Sequence, residues 1–457
     1  MHLLDPEVEK ATPAELRRLQ WEGLDRFLRD RVWSNPFYAH KYALAGVRQR
    51  SITDQGAFTS LPTVDKSQIL EDVRQHPPFG SRSVLDDSDL RQVVETTGTS
   101  GRGRERYPLN QTDVDGVRAM ERFGFHWAGV TKGSVVMSCL PLTTRAAGQW
   151  YHDAVRSLGG VFLATGNYDT AEKLRYLSEY DVSLLCASSP SYLRRLEVAA
   201  LNEGMSPRDF GVRAIMVAGE PFSIDWLVER EEVWGARIFE QYGSTQRAIA
   251  WCCDRGAVPG GGRGVLHTLP HLALYEVVDP ETGEEVADGE AGELIITPFS
   301  ATSASPLVRF ATGDRVTKLP ADACPCGRTL PAFEAGTVER YDNVFRARGV
   351  NFAVSDIDDV VLNSGAREYQ ARIYIDQRTG REELEILAEL EPGPDHGETT
   401  LREIATRLRD AMGLRFDVRT YEGSSLLPEG KSDLIKRQRW SDQRESRGGS
   451  AGTGSSS

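Results

Sequence analysis

A chain of 457 residues, 40% hydrophobic and 26% charged, is long enough for two or three buried cores and has the composition of a globular protein. Its formal net charge of −13 argues against nucleic acid or an anionic membrane as the main partner, since both need a clustered positive surface. A charged N-terminus, six sparse cysteines and no apolar run of ~18 residues predict a cytoplasmic chain without signal peptide, disulfide framework or membrane span.

The first element is "ATPAELRRLQWEGLDRFLRDRVW". Thr12 reads as an N-cap, Pro13 as the first helical residue and Glu15 as the capping-box acid. Leu16, Leu19, Phe27, Leu28 and Val32 follow at near-helical spacing, so the helix is amphipathic and packs on what lies behind it. Next comes "VVETTGTSGRGRERYPL", a short apolar run followed by Thr96, Thr97, Gly98, Thr99, Ser100 and Gly101. Glycines permit the backbone angles that aim several N–H groups at one anion, and the hydroxyls add donors. The Gly-Lys-Ser/Thr ending of the Walker loop is missing. On these residues alone, a phosphate loop and a polar surface turn both remain open.

From about residue 130 short apolar runs alternate with helical stretches. "GSVVMSCL", "GGVFLATG", "VSLLCASS", "VRAIMVAG" and "ARIFEQYG" are separated by "QWYHDAVRSLG", "TAEKLRYLSEY", "PSYLRRLEVAALNEG" and "SIDWLVEREEVWG". This predicts α/β architecture with a doubly wound, mostly parallel sheet, and ligands at the carboxyl ends of its strands. After residue 265, "LALYEVVDPETGEEVADGEAGELIITPF" reads as two strands about an acidic turn, the start of a β-rich subdomain. From about 343 a hairpin, the helix "TTLREIATRLRDAMG" and the strand "RFDVRTYE" form a small α+β domain. The predicted organisation is a large domain over 1–341, a small mobile one over 342–442, and a disordered Gly/Ser-rich tail over 443–457.

Cysteine spacing adds one site. "DACPCGR" supplies Cys324 and Cys326, "WCCDRG" supplies Cys252 and Cys253, and "GVLHTLP" supplies His267. A Cys-x-Cys pair with a distant Cys and His suits tetrahedral Zn²⁺, against the alternative of four reduced, partly buried residues without metal. Cys139 and Cys186 lie in predicted strands and read as core.

Five segments in order, "MVAGEPF", "FEQYGSTQ", "LVRFATGDRV", "ERYDNVFRARGVNF" and "LPEGKSDLIKRQRW", resemble the adenylate-forming (acyl-CoA synthetase) enzymes. With "ACPCGRTLPAF" ahead of "RARGVNFAVSDIDDVV", the chain resembles the phenylacetate–coenzyme A ligase group in particular, from "NPFYAHKYALAGV" to "GKSDLIKRQ". No single segment is specific; the ordered set is. The resemblance implies that residues 96–103 close over the β- and γ-phosphates of ATP. It implies that Ala218, Gly219, Glu220 and Pro221 line the adenine pocket, that Tyr242 stacks near the adenine or the acyl group, and that Gly243 beside it belongs to the nucleotide site. Asp314 would accept the ribose hydroxyls. Arg340 would neutralise phosphate, Asp342 would be the hinge, and Lys431 would stabilise charge developing at the α-phosphate. It also selects Cys253, the second cysteine of its pair, as the zinc ligand. Acyl-pocket candidates are Trp150, Tyr151, Gly166, Ser188 and Ala218, mixing aromatic and small residues suited to a flat ring.

The chain departs from the group's pattern at several positions. Gln246 stands where the group usually has a Mg²⁺-holding Glu, and an amide brings no charge. Arg102 replaces a common Lys and is followed by Arg104 and Arg106; Ala311 replaces an Arg; Glu95 replaces a small residue. The expected activity is ATP-dependent adenylation of an aromatic or heteroaromatic carboxylic acid, with pyrophosphate release and acyl transfer to coenzyme A. Expected partners are thus the acid, ATP, Mg²⁺, coenzyme A and a structural Zn²⁺, and a homodimer is compatible with them. Transfer to an amine or carrier-protein thiol in secondary metabolism is the alternative, and Gln246 raises a third reading, a non-catalytic nucleotide or acyl-AMP binder.

Overall fold

The computed structural model describes residues 3–85, 87–96, 105–341, 344–348, 350–376, 381–390, 397–423, 425–426 and 439–443. It divides into two compact units, Met1–Val338 and Glu339–Ser457. No described helix is long and apolar enough to cross a membrane.

The expected N-terminal helix spans Pro13–Phe27, and its capping box forms: Thr12 Oγ1 accepts from Glu15 N, while Glu15 accepts from Thr12 N at 2.7 Å. Its inward stripe is Leu16, Gln20, Leu24 and Phe27, and Gln20 Nε2 donates to Ala273 O at 2.9 Å. A polar side chain inside the stripe is tolerated because it is hydrogen-bonded.

Two short strands, β1 (Gln92–Glu95) and β2 (Arg106–Leu109), pair antiparallel on either side of the hydroxyl-rich loop. The main sheet is built from β3 (Val135–Ser138), β4 (Val161–Ala164), β5 (Leu184–Cys186), β6 (Ala214–Ala218), β7 (Arg237–Gly243), β8 (Ala248–Cys252), β9 (Val265–Thr268), β10 (Leu274–Val278), β11 (Ala291–Thr297), β12 (Phe310–Leu319) and β13 (Ala332–Glu334). Its order is β10-β11-β12-β13-β9-β8-β7-β6-β5-β3-β4. Strands β7, β6, β5, β3 and β4 run parallel, and the rest join antiparallel. The β-rich stretch after residue 265 therefore continues the same sheet. Central parallel strands read as unbroken apolar runs because both faces are covered; β5 is buried throughout, whereas the edge strand β4 exposes Val161.

The crossover helices are Ala146–Ser157, Thr170–Glu179, Pro190–Asn202 and Ile224–Trp234. The last three start where Asp169, Ser189 and Ser223 accept an orphan N–H. A further helix, Gln111–Trp127, lies close to β8: a Cβ on Gly124 would come within 2.0 Å of Trp251. Only a residue without a side chain permits that approach.

The second unit opens with β14 (Glu339–Arg340) and the antiparallel pair β15 (Val344–Ala347) and β16 (Val350–Ala353). Its sheet has the order β19-β18-β17-β20, with β17 (Ala366–Ile375), β18 (Glu382–Leu390), β19 (Asp417–Thr420) and β20 (Trp440–Asp442). The helices Val354–Leu362 and Glu398–Met412 contribute Ile357, Val361, Ile404 and Leu408 to its core, beside Tyr369, Ile373 and Ile386. Leu401, Ala405 and Met412, near Ile404 and Leu408 on the same helix, sit half-buried at the margin of that core.

In the first unit a buried ion pair joins sequence-distant segments. Arg328 Nε meets Glu9 Oε2 at 2.7 Å, and both side chains are fully enclosed. Trp127 Nε1 donates to the same oxygen at 3.0 Å, and the amides of Leu4 and Asp5 donate to Glu9 Oε1. Arg328 also reaches Asp254 at 2.7 Å and lies over the Trp127 ring at 4.7 Å. Truncating one partner leaves an uncompensated buried charge, so Arg328→Ala is expected to lower unfolding free energy by about 3–5 kcal/mol, measured by denaturant titration.

Candidate functional site

Some of the sequence-predicted site residues lie at the carboxyl ends of the parallel strands β6 and β7. Strand β6 ends at Ala218, which is half-buried, and Gly219 follows with φ of 80° in the left-handed region that glycine takes freely. Glu220 and Pro221 complete that turn. Register pairs Ala218 with Gln241, so the Gly219 turn adjoins Tyr242. Tyr242 is buried, and its hydroxyl donates to Asp314 Oδ2 at 2.6 Å. That bond links the last parallel strand to β12 across the antiparallel strands between them. Asp314 is steadied in turn by its own amide, which donates to Thr312 Oγ1 at 3.0 Å. A register shift at Tyr242/Gly243 marks a bulge against β8, a usual way to re-aim a side chain at a sheet end.

Of the hydroxyl-rich loop, only its base is described. Thr96 N donates to Glu105 O at 3.1 Å, and Glu105 N donates to Thr96 Oγ1 at 2.9 Å. Thr97, Gly98, Thr99, Ser100, Gly101, Arg102 and Arg104 lie outside the described residues, as do Asp342 and Lys431. Arg106 is bound to Glu95 at 2.9 Å, so these two departures from the group's pattern answer each other across the β1–β2 pair. Arg340 lies exposed on β14 of the second unit.

Gln246 has partners that sequence reasoning missed. Its Nε2 donates to Glu105 Oε2 at 2.6 Å and to Tyr107 Oη at 3.2 Å. Tyr107 donates to the same carboxylate, and Lys66 Nζ stands 2.9 Å from Glu105 Oε1. Glu105 is completely buried, and burial pushes the Tyr107 phenol well above its usual range. Glu105 sits one residue beyond the loop, so its position could have been flagged; Lys66, in another element, carried no sequence signal.

The acyl-pocket candidates divide. Ser188 follows β5 with φ of 71°, unusual for a residue with a side chain. Gly166 passes so close to the Leu140 carbonyl carbon that a Cβ would stand 2.2 Å from it, which makes it a packing glycine. Trp150 belongs to the core that holds Val94, Tyr107 and Trp251, whereas Tyr151 joins the other core beside Phe125 at a ring separation of 5.1 Å. Successive helical residues point about 100° apart, so one helix feeds both cores and the two aromatics do not converge. A further acid lies nearby. Glu121, on the helix Gln111–Trp127, accepts from Gln241 Nε2 at 2.9 and 2.7 Å and from Trp251 Nε1 at 3.3 Å. Burial pushes its carboxyl up to about 8, only partly opposed by those bonds.

The four proposed metal ligands do converge. Donor atoms of Cys253, His267, Cys324 and Cys326 all lie within 4.8 Å of one another, and every residue is buried. Cys253 Sγ and Cys324 Sγ are 3.7 Å apart, and Cys326 Sγ lies 3.4 Å from His267 Nε2. Tetrahedral bonds of about 2.3 Å to sulfur and 2.0 Å to nitrogen require separations of about 3.8 and 3.5 Å, so the donor set fits Zn²⁺. His267 Nδ1 faces Leu330 O at 3.3 Å, the outer-shell contact that orients a ligating imidazole. Cys252, one residue earlier on a strand, faces the opposite side and joins the main core. All four residues belong to the first unit, and Arg328 N donates to Cys326 Sγ at 3.5 Å. The loop is thus tied to the N-terminal segment through Arg328 and Glu9.

Residues 111–300 match the AMP-binding enzyme family. The chain is 24% identical to a phenylacetate–coenzyme A ligase of Thermus thermophilus over 449 residues, covering 94% of this chain and 96% of the relative. It is 23% identical to the Escherichia coli enzyme of that name over 445 residues, with coverage of 94% and 96%. Among solved structures, a 2-hydroxyisobutyryl-CoA ligase with 2-HIB-AMP in its postadenylation state shares the fold with a TM-score of 0.84 at 22% identity, covering 96% of this chain and 92% of that one. An anthranilate CoA ligase with anthranoyl-AMP aligns with a TM-score of 0.57 at 17% identity, covering 76% and 66%. The fold is that of the adenylate-forming CoA ligases among the solved structures. Over nearly its whole length the chain is similar to the phenylacetate–coenzyme A ligases, and its residues 111–300 carry the AMP-binding match.

Glu121 yields a pH test. The folded chain keeps this carboxyl protonated up to about 8, whereas an unfolded one ionises near 4.5. Between those values unfolding releases a proton, so the contribution of Glu121 to stability falls as pH rises, by at most about 1.4 kcal/mol per pH unit. Glu121→Gln removes the titration and can donate to Gln241 Oε1, which is buried without a partner. The melting temperature of this variant relative to wild type is expected to rise from pH 5 to pH 8; a constant difference would contradict the assignment.

Proposed function

We propose that this chain is an AMP-forming carboxylate–coenzyme A ligase acting on an aromatic or heteroaromatic acid. In the first half-reaction a carboxylate oxygen attacks the α-phosphorus of ATP, the bond to pyrophosphate breaks, and acyl-AMP forms. In the second the thiol of coenzyme A attacks the acyl carbonyl, loses its proton, and AMP leaves. The observation that carries the reading is the Tyr242–Asp314 pair beside the Gly219 turn, which holds a carboxylate and an aromatic ring together where a nucleoside would lie.

The reading assigns each residue a role. Asp314 takes the ribose hydroxyls, and Tyr242 with Gly219, Glu220 and Pro221 encloses the base. Thr96 anchors the loop over the phosphates. Lys431 and Arg340 supply positive charge from the second unit, with Asp342 as the pivot between half-reactions. Mg²⁺ accompanies ATP and would be met on the protein side at Gln246. The aromatic preference is supported by the phenylacetate and anthranilate named for the relatives. Cys253, His267, Cys324 and Cys326 hold a structural Zn²⁺: four protein donors leave no open position for chemistry.

Carboxylate-dependent ATP–pyrophosphate exchange over benzoic, phenylacetic, amino- and hydroxybenzoic and heteroaromatic acids tests the first step. One acid class is expected to support exchange, and Lys431→Ala to reduce it by about 10²-fold or more, the scale of losing one transition-state donor. Nucleotide binding without exchange for any acid would favour a binder. Offering coenzyme A, amines and carrier thiols to the adenylated enzyme then identifies the acceptor. Metal analysis of the purified chain is expected to find zinc, lost in Cys326→Ser along with thermal stability; full stability without metal would refute the structural role.

A further inference from the structure

Glu105 is enclosed from water, one residue beyond the phosphate loop, and its two oxygens are used differently. Oε1 faces Lys66 Nζ at 2.9 Å; Oε2 receives Gln246 Nε2 at 2.6 Å and the Tyr107 hydroxyl. An ionised carboxylate only accepts, and a side-chain amide has one donating and one accepting end. Glu105 therefore captures the NH₂ end of Gln246, as does the Tyr107 oxygen at 3.2 Å. The carbonyl Oε1 is the end turned from this cluster. If residue 246 were a carboxylate, two acceptor-only groups would meet at a separation of 2.6 Å, and they could persist only by sharing a proton.

We propose that Glu105 is a positioning residue: it orients Gln246 so that the amide carbonyl serves the Mg²⁺–ATP complex, and residue 246 is an amide because Glu105 is its partner. Acid and amide form one unit, with the negative charge held one position back, on Glu105, and neutral oxygen presented in front. Lys66 belongs to the unit as the counter-charge that faces Glu105 Oε1 at 2.9 Å. This inference rests on the ligase reading and deepens it.

The test is a double-variant cycle of wild type, Glu105→Gln, Gln246→Glu and the double exchange Glu105→Gln/Gln246→Glu in the full chain. Each is measured for ATP binding by calorimetry, once with Mg²⁺ and once with EDTA, and for thermal unfolding. Each single variant is expected to weaken Mg²⁺-dependent binding by about tenfold, within the range for directly contacting polar groups. Binding in EDTA should change far less, which separates orientation of the cation-facing amide from general damage. The double exchange restores one acid and one amide, and its Mg²⁺-dependent affinity is expected to return to within about threefold of wild type, a rescue that independent sites would not give. Additive losses, or a Gln246→Glu variant that binds Mg²⁺–ATP as well as wild type, would overturn the inference while leaving the ligase reading standing. A wild-type chain without Mg²⁺-dependent ATP binding would sink both.

Discussion

A carboxylate removed from water must be met by donors, and this requirement ties the large unit together. Glu9, Glu105, Glu121, Glu276 and Asp314 are all buried, and each is answered by a group from a distant part of the chain. Arg328 answers Glu9, Gln246 and Lys66 answer Glu105, Gln241 and Trp251 answer Glu121, Arg309 answers Glu276, and Tyr242 answers Asp314. Apolar packing supplies most of the gain from burial, but it is tolerant of slippage. Paired polar groups in a medium of low dielectric tolerate only one arrangement, so they specify which strand end stands beside which.

The site inherits its geometry from this pairing. Strand β7 is the hinge of the sheet, the last parallel strand and the first to accept an antiparallel neighbour. Period-two alternation sends Gln241 to the helix Gln111–Trp127 and Tyr242 to Asp314, so adjacent residues serve opposite faces. Glu105, one residue before β2, then meets Gln246, which follows β7. Thr96, Glu105 and Gln246 are thus coupled by direct bonds.

The sulfur–imidazole cluster is joined to the same framework by a different route. Cys326 accepts from the backbone of Arg328, and the Arg328 side chain runs to Glu9 and Asp254. Thr329 also donates to Ala11 O at 2.6 Å. The N-terminal segment is held by a loop whose own shape depends on four convergent donors, which explains how so short a leading element stays packed.

The elements of the large unit were legible from sequence because their periods are strong: the Thr12–Glu15 capping box, the five apolar runs and their intervening helices all formed. The four metal-type ligands were legible because few side chains offer sulfur or imidazole, and their spacing is restrictive. The Tyr242–Asp314 pair was legible only as two separate motifs. What only tertiary structure decided is who partners whom. Trp150 and Tyr151 looked alike as pocket aromatics, yet helical rotation sends them into different cores. Gly166 looked like room for a ring and is instead occupied by the Leu140 backbone. Gln246 looked like a lost charge, and the charge was present at Glu105, 2.6 Å away. Local sequence sets the period of an element and the chemistry of each side chain; the neighbour across a crossover is set by sheet order and helix rotation, which no local pattern contains.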